Sequence, residues 1–172
     1  MEIRTEIEPH IEVHKFQTGA VVGATALALV LQASLPVRFH WAAWIELPLL
    51  ITLYFGLSRR NPSSGLLLGM VIGILQDSLS RSHIGLYGIA KTFVGFMASS
   101  IGSRLNVEHP ISRFVLAVGF FHFHQGVIAL TKRILLAEHE PFLTTPLLIA
   151  SLVNAALAMG LFPLLDLLRK PS

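Results

Sequence analysis

The chain has no cysteine, which excludes disulfides, thiolate metal sites and cysteine nucleophiles. Charge is scarce as well. Asp, Glu, Lys and Arg make up 13% of the 172 residues, where a soluble domain carries roughly 25%. The net charge of +3 is not gathered into a basic patch. Lys and Arg stand singly or in pairs beside apolar runs, which is the pattern of topology signals and not of nucleic-acid binding. Catalytic framing is also missing. Ser63, Ser64, Ser78, Ser80 and Ser82 lie near the ends of apolar runs, with no G-x-S-x-G around them. No Walker or dinucleotide glycine loop and no H-E-x-x-H motif occurs. The sequence therefore assigns no catalytic residue, no metal ligand and no cofactor, and it reads as a non-enzyme.

What is abundant is apolar surface: 53% of the residues are hydrophobic and the mean hydropathy is +0.66. Six apolar segments follow one another, at Phe16–Leu35, Trp41–Leu57, Ser64–Leu79, Ile84–Ile101, Phe114–Leu136 and Pro146–Leu168. Crossing a bilayer takes roughly 20 residues at 1.5 Å each. The fold class is thus all-α, a polytopic bundle of about six transmembrane helices. Residues 1–15 form a tail, and 16–172 form one transmembrane domain, because no connection is large enough to fold alone. The tail carries four Glu and no apolar core, so it is no signal peptide and the first span serves as an uncleaved anchor. Its apolar residues Ile3, Ile7, Ile11 and Val13 alternate with polar ones. The alternatives are an extended arm that docks on a cytoplasmic partner and a disordered tail.

Orientation follows from the basic residues. With both termini in the cytoplasm, Arg4, Lys15, Arg59, Arg60, Arg104, Arg113, Arg169 and Lys170 lie inside. Arg38, Arg81, Lys132 and Arg133 lie outside. Trp41 and Trp44 then sit at the outer interface, where indoles are favoured. The second segment is the least secure span, because it is short and contains Glu46 and Pro48. A re-entrant hairpin is the alternative there.

Within the third segment Gly65, Gly69 and Gly73 recur every four residues, and Asp77 takes the next step. That spacing places the glycines on one helix face, where another backbone can approach closely. The neighbour is a helix of the same chain, a second copy or a partner. Gly85, Gly88 and Gly95 in the following segment suit a close pair. Polar residues inside the apolar runs are costly unless paired. Asp77 and Lys91 fall within reach across the turn, with the Lys stem snorkelling outward; Glu46 lies in the same half. They form a structural ion pair, or they line an outward cavity that accepts a ligand or another protein. In the fifth segment His122 and Gln125 share a face, and His124 points roughly opposite. Interhelical hydrogen bonding with Asn154 is the expectation there. Two His at i and i+2 cannot close on one metal ion.

The order of these features resembles a known family. A first span ending LVLQASLP, the run NPSSGLLLGMVIGILQD, the turn SRSHIGLYG and a last span SLVNAALAMGLFPLLDLLRK are similar to MreD, the rod shape-determining membrane protein of bacteria. The family motif falls on Gly65, Gly69, Asp77 and Gly85; Lys91, His122 and His124 are not features of it. The resemblance implies an inner-membrane, non-catalytic scaffold of the cell-elongation machinery, similar in fold to the substrate-binding components of energy-coupling-factor vitamin transporters. The implied partners are an MreC-like membrane protein and, directly or indirectly, a RodA-type glycosyltransferase and a class B penicillin-binding protein. The actin-like filament MreB lies on the cytoplasmic side. The rival reading is the substrate-binding subunit of a vitamin-type uptake transporter.

Overall fold

Proline occupies the first or second position of four helices, where its missing N–H removes a donor that would have no partner anyway. These are α2 (Leu47–Arg59), α3 (Pro62–Leu79), α5 (Pro110–Leu135) and α6 (Thr145–Asp166). Short polar side chains close three of the starts. Asn61 accepts from the Ser64 amide, His109 from Ile111 and Thr144 from Leu147. Each satisfies one of the free amides of a first turn. The cap of α3 is therefore Asn61, and the helix begins at Pro62. The computed structural model describes residues 16–80, 83, 85–103, 109–138 and 144–169. The tail, Arg81, Ile84, Arg104, Glu108, Pro141 and Lys170 lie outside the described residues, and with them the alternating arm and several topology signals.

The remaining helices are α1 (Thr18–Arg38) and α4 (Leu86–Gly102), with a 3-10 turn over His40–Trp44 between α1 and α2. The described chain is thus an all-helical bundle of six α-helices. The segment His40–Arg59 and helices α1, α3, α5 and α6 are long and apolar enough to cross a membrane; α4 has 17 residues. Successive helices run antiparallel. At one end, here the lower, Phe16 pairs with Arg169, and Asp166 accepts from Tyr54 (2.8 Å) and Arg113 (2.7 Å). These contacts clasp the chain's first and last described segments to α2 and α5. At the upper end lie the C-termini of α1 and α3.

The least secure span of the sequence turns out to be the centre of the bundle. Every residue from Pro48 to Ser58 is buried, and the hydrophobic core draws on all six helices around Leu49, Leu50, Leu53 and Phe55. No re-entrant hairpin forms. The segment runs from the 3-10 turn at the upper end to the α4 C-terminus at the lower, where Leu57 lies against Gly102. Its helix is short because the upper part is the 3-10 turn followed by two non-helical residues, Ile45 and Glu46, of which Ile45 is extended. In hydrocarbon such irregular backbone must find partners within the protein. Two amides supply them. Gln32 of α1 donates to the Ile45 carbonyl (2.9 Å) and accepts from the Leu47 amide (3.0 Å). Asn154 of α6 accepts from the Glu46 amide (2.8 Å) and donates to the Trp44 carbonyl (2.7 Å).

Candidate functional site

The glycine face of α3 is spent inside the chain. A Cβ on Gly65 would run into the Gly95 carbonyl and Ser99, one on Gly69 into the Lys91 carbonyl, and one on Gly73 into the Tyr87 carbonyl. From the other side, Gly95 faces the Gly65 carbonyl. Helices α3 and α4 thus touch backbone to backbone, and of the neighbours open to the ladder it is the intramolecular one that is found. Gly88 is less tightly closed, but a Cβ added there would still be tight, 3.3 Å from Asp77 and Ile74 side-chain atoms. Gly85 has a different job from packing. An added Cβ there would meet nothing, but its φ of 97° is left-handed, a conformation that favours glycine.

That turn aims three amides at Asp77. Gly85 and Gly88 donate to Oδ2 (3.0 and 2.9 Å) and Tyr87 to Oδ1 (3.0 Å). Asp77 is 1% exposed, and the first turn of α4 supplies both hydrogen bonds and the positive end of a helix dipole. A carboxylate of α3 therefore caps α4. The expected Asp77–Lys91 ion pair does not form, because the backbone already satisfies the carboxylate.

Lys91 instead points into the bundle, 0% exposed, and does not snorkel. Its Nζ lies 3.5 Å from Glu46 Oε2, 3.2 Å from His124 Nε2 and 4.7 Å from the centre of the Tyr87 ring. With the ammonium donating, His124 Nε2 is the acceptor. The His124 ring stacks near Tyr87, with centroids 6.0 Å apart. Gln76 Nε2 donates to the same Glu46 Oε2 (3.3 Å). Glu46, Gln76, Lys91 and His124, from four consecutive stretches of the bundle, thus form one buried polar cluster.

This arrangement revises the fifth segment too. His124 is the inward residue, His122 is half-buried with its ring edge-on to Phe121, and Gln125 is half-buried. Asn154 is engaged by the Trp44–Glu46 backbone and by Ala150, not by the His122–Gln125 face. Among the described residues no three His, Asp or Glu side chains converge as a metal set. Gln32 and Gln76 are not among the candidates of the sequence, which were ionisable groups, His122, Gln125 and Asn154. Their signal was available: a carboxamide inside an apolar run needs a partner as surely as a charge does. Gly56 and Gly102, which also pack against neighbouring backbone or Cβ atoms, lacked the four-residue spacing.

The cluster opens upward into a pocket of about 570 Å³ between the ends of α1 and α3. Glu46 and Gln76, 8% and 4% exposed, form its base with Tyr87. Ala33, Val37 and Ala43 form an exposed, apolar rim. Asp77 and Lys91 are not among its lining residues; of the polar residues expected around an outward cavity, Glu46 alone reaches it. Trp41 and Trp44 are exposed beside it, 62% and 42%.

Six packed helices around a buried charge cluster, with an amphipathic pocket at one end, define a polytopic helical membrane protein. Over residues 14–170 the chain matches the family described as rod shape-determining protein MreD, and it belongs to that family. It is therefore a membrane protein of the rod-shape machinery. Comparison with curated proteins and with solved structures returned no match.

Proposed function

We propose that this protein is a non-catalytic scaffold subunit of the cell-elongation machinery, and that it seats an MreC-like partner at the pocket between the ends of α1 and α3. The basic residues support the orientation. Both termini lie in the cytoplasm, so the upper end faces out of the cell. The observation that carries the reading is the contrast between the two sides of α3. Its glycine face is closed by α4 and leaves no room for a partner helix, whereas its upper end borders the open pocket. A partner with one membrane helix and an external domain fits that placement. Its helix would lie in the bilayer beside α1 and α3, and its juxtamembrane segment would enter the pocket. The scaffold would then set where the external domain stands relative to a RodA-type glycosyltransferase and its class B penicillin-binding protein. In lipid such contacts rest on packing and interhelical hydrogen bonds of about 1 kcal/mol each.

The same pocket, with Glu46 at its base, is the one feature that favours an uptake subunit as the second reading. Affinity purification of the full chain from its native membrane tests both. Recovery of an MreC-like protein, with or without the polymerase pair, is the expected result. Recovery of transporter ATPases, or a small molecule retained on the wild-type chain and lost on Glu46→Gln, would move the assignment to uptake.

A further inference from the structure

The base of the upper pocket is built for a hydrogen-bond donor. Both Lys91 and Gln76 contact Oε2 of Glu46, and Oε1 takes no hydrogen bond among the described residues. The Glu46 side chain keeps 11% exposure on the pocket side. Beside it, Gln76 Oε1 is buried without a hydrogen-bond partner. The base thus offers one acceptor with free capacity to the pocket, Glu46 Oε1, with a second unsatisfied acceptor buried behind it.

Charge points the same way. The one ammonium beside Glu46, that of Lys91, lies 3.5 Å from Oε2 and is shared with His124 Nε2 at 3.2 Å. Asp77 is satisfied separately by the α4 amides. Oε1, on the pocket side, therefore has no cation of its own, and a carboxylate oxygen makes its stronger hydrogen bonds with a charged donor. Above the base, the rim of Ala33, Val37 and Ala43 is apolar. An apolar collar over an anionic base complements an aliphatic stem that carries a cationic head. A phospholipid amine fits less well. Its phosphate would lie at the collar, and among the described residues the pocket lining holds no Lys or Arg to meet it.

We propose that the pocket is a receptor for a single Lys or Arg side chain on the partner's segment just outside the membrane, with the cation on Glu46 Oε1 and the stem against the collar. The identity of the occupant as a protein rests on the scaffold reading; the preference for a cation does not.

The test uses the full chain in phosphatidylcholine nanodiscs and saturation-transfer NMR with N-acetyl-arginine amide, N-acetyl-lysine amide and N-acetyl-norleucine amide. The cationic probes are expected to bind at least about tenfold more tightly than norleucine, the worth of a charge-assisted hydrogen bond. Ala43→Phe, which fills the collar and leaves the carboxylate alone, should abolish their signals, as should Glu46→Gln. If Glu46→Gln does not fold, Ala43→Phe carries the test. Equal binding of norleucine, no binding of either cation, or cation binding unchanged by Ala43→Phe would overturn the proposal. So would displacement of the arginine probe when phosphatidylethanolamine replaces phosphatidylcholine. Affinity purification separates the two readings. A partner retained equally by wild type and Ala43→Phe sinks the receptor and leaves the scaffold standing. A wild-type chain that binds the arginine probe and recovers no elongation protein supports the cation site and sinks the scaffold.

Discussion

Helix α3 has two neighbours that it treats in opposite ways. Against α4 it presents Gly65, Gly69 and Gly73, and the two backbones meet with no space for a Cβ. Against α1 it leaves a pocket of about 570 Å³. Helix α1 carries its own glycine pair, Gly19 and Gly23, also four residues apart, and a Cβ on either would meet nothing. Only Val21, Ala28 and Leu29 of α1 are buried, whereas α2 is buried over eleven successive residues from Pro48 to Ser58. Two glycine repeats of identical spacing, three residues on α3 and two on α1, thus have different fates. A small-residue repeat permits close approach; whether a helix takes the offer depends on what else fixes the pair. At α3–α4 that second factor is Asp77, which ties the end of one helix to the start of the next. At α1 the described residues hold no equivalent clasp to α3, and Gln32 reaches the backbone at the start of α2 instead.

The seam should therefore fail hardest when Gly69 is filled. Gly69→Leu places a side chain on the Lys91 carbonyl and is expected to cost about 3 kcal/mol or more, read as loss of folded protein in mixed-micelle denaturation. Wild-type stability would dissolve the contrast between seam and gap. Next comes the polar cluster. Lys91→Met leaves Glu46 buried without its cation and should cost about 3 kcal/mol. Pairing it with Glu46→Gln is expected to restore a large part, and a double mutant no better than the single would show that the two groups are not coupled. Asp77→Asn turns one acceptor toward a backbone amide as a donor. A loss of about 2 kcal/mol is expected, with faster hydrogen exchange at the Gly85–Gly88 amides; unchanged exchange would mean that the cap does not hold the turn. The smallest effect belongs to Gly23→Leu, within about 0.5 kcal/mol. A large loss there, measured in the same assay, would mean that α1 packs as tightly as α4.

Much of this could be read from the chain. Six apolar segments correspond to the six helices, with starts displaced by a few residues where Asn61 and His109 cap earlier than the hydropathy suggests. The glycine ladder and Asp77 were visible by spacing, and the family by the motif they belong to. The partners of the polar residues were not visible. Asp77 and Lys91 are near in sequence and opposite in charge, so pairing them was the local solution. The structure satisfies Asp77 with backbone amides and joins Lys91 to Glu46 and His124, which stand 45 and 33 residues away. The central position of α2 was hidden for a related reason. Glu46 and Pro48 weaken its hydropathy, yet they mark a helix start whose irregular backbone is satisfied by Gln32 and Asn154 from two other helices.

Hydropathy, proline placement and four-residue spacing are local properties. By themselves they determined that this chain is a polytopic helical membrane protein, which six stretches become helices, and which face of α3 can approach another backbone. Which helix fills that face, which carboxylate meets Lys91 and where a pocket stays open depend on the rotation and depth of each helix relative to five others. Those are settled only when all six pack together, because in hydrocarbon each buried polar group must find its partner within the bundle.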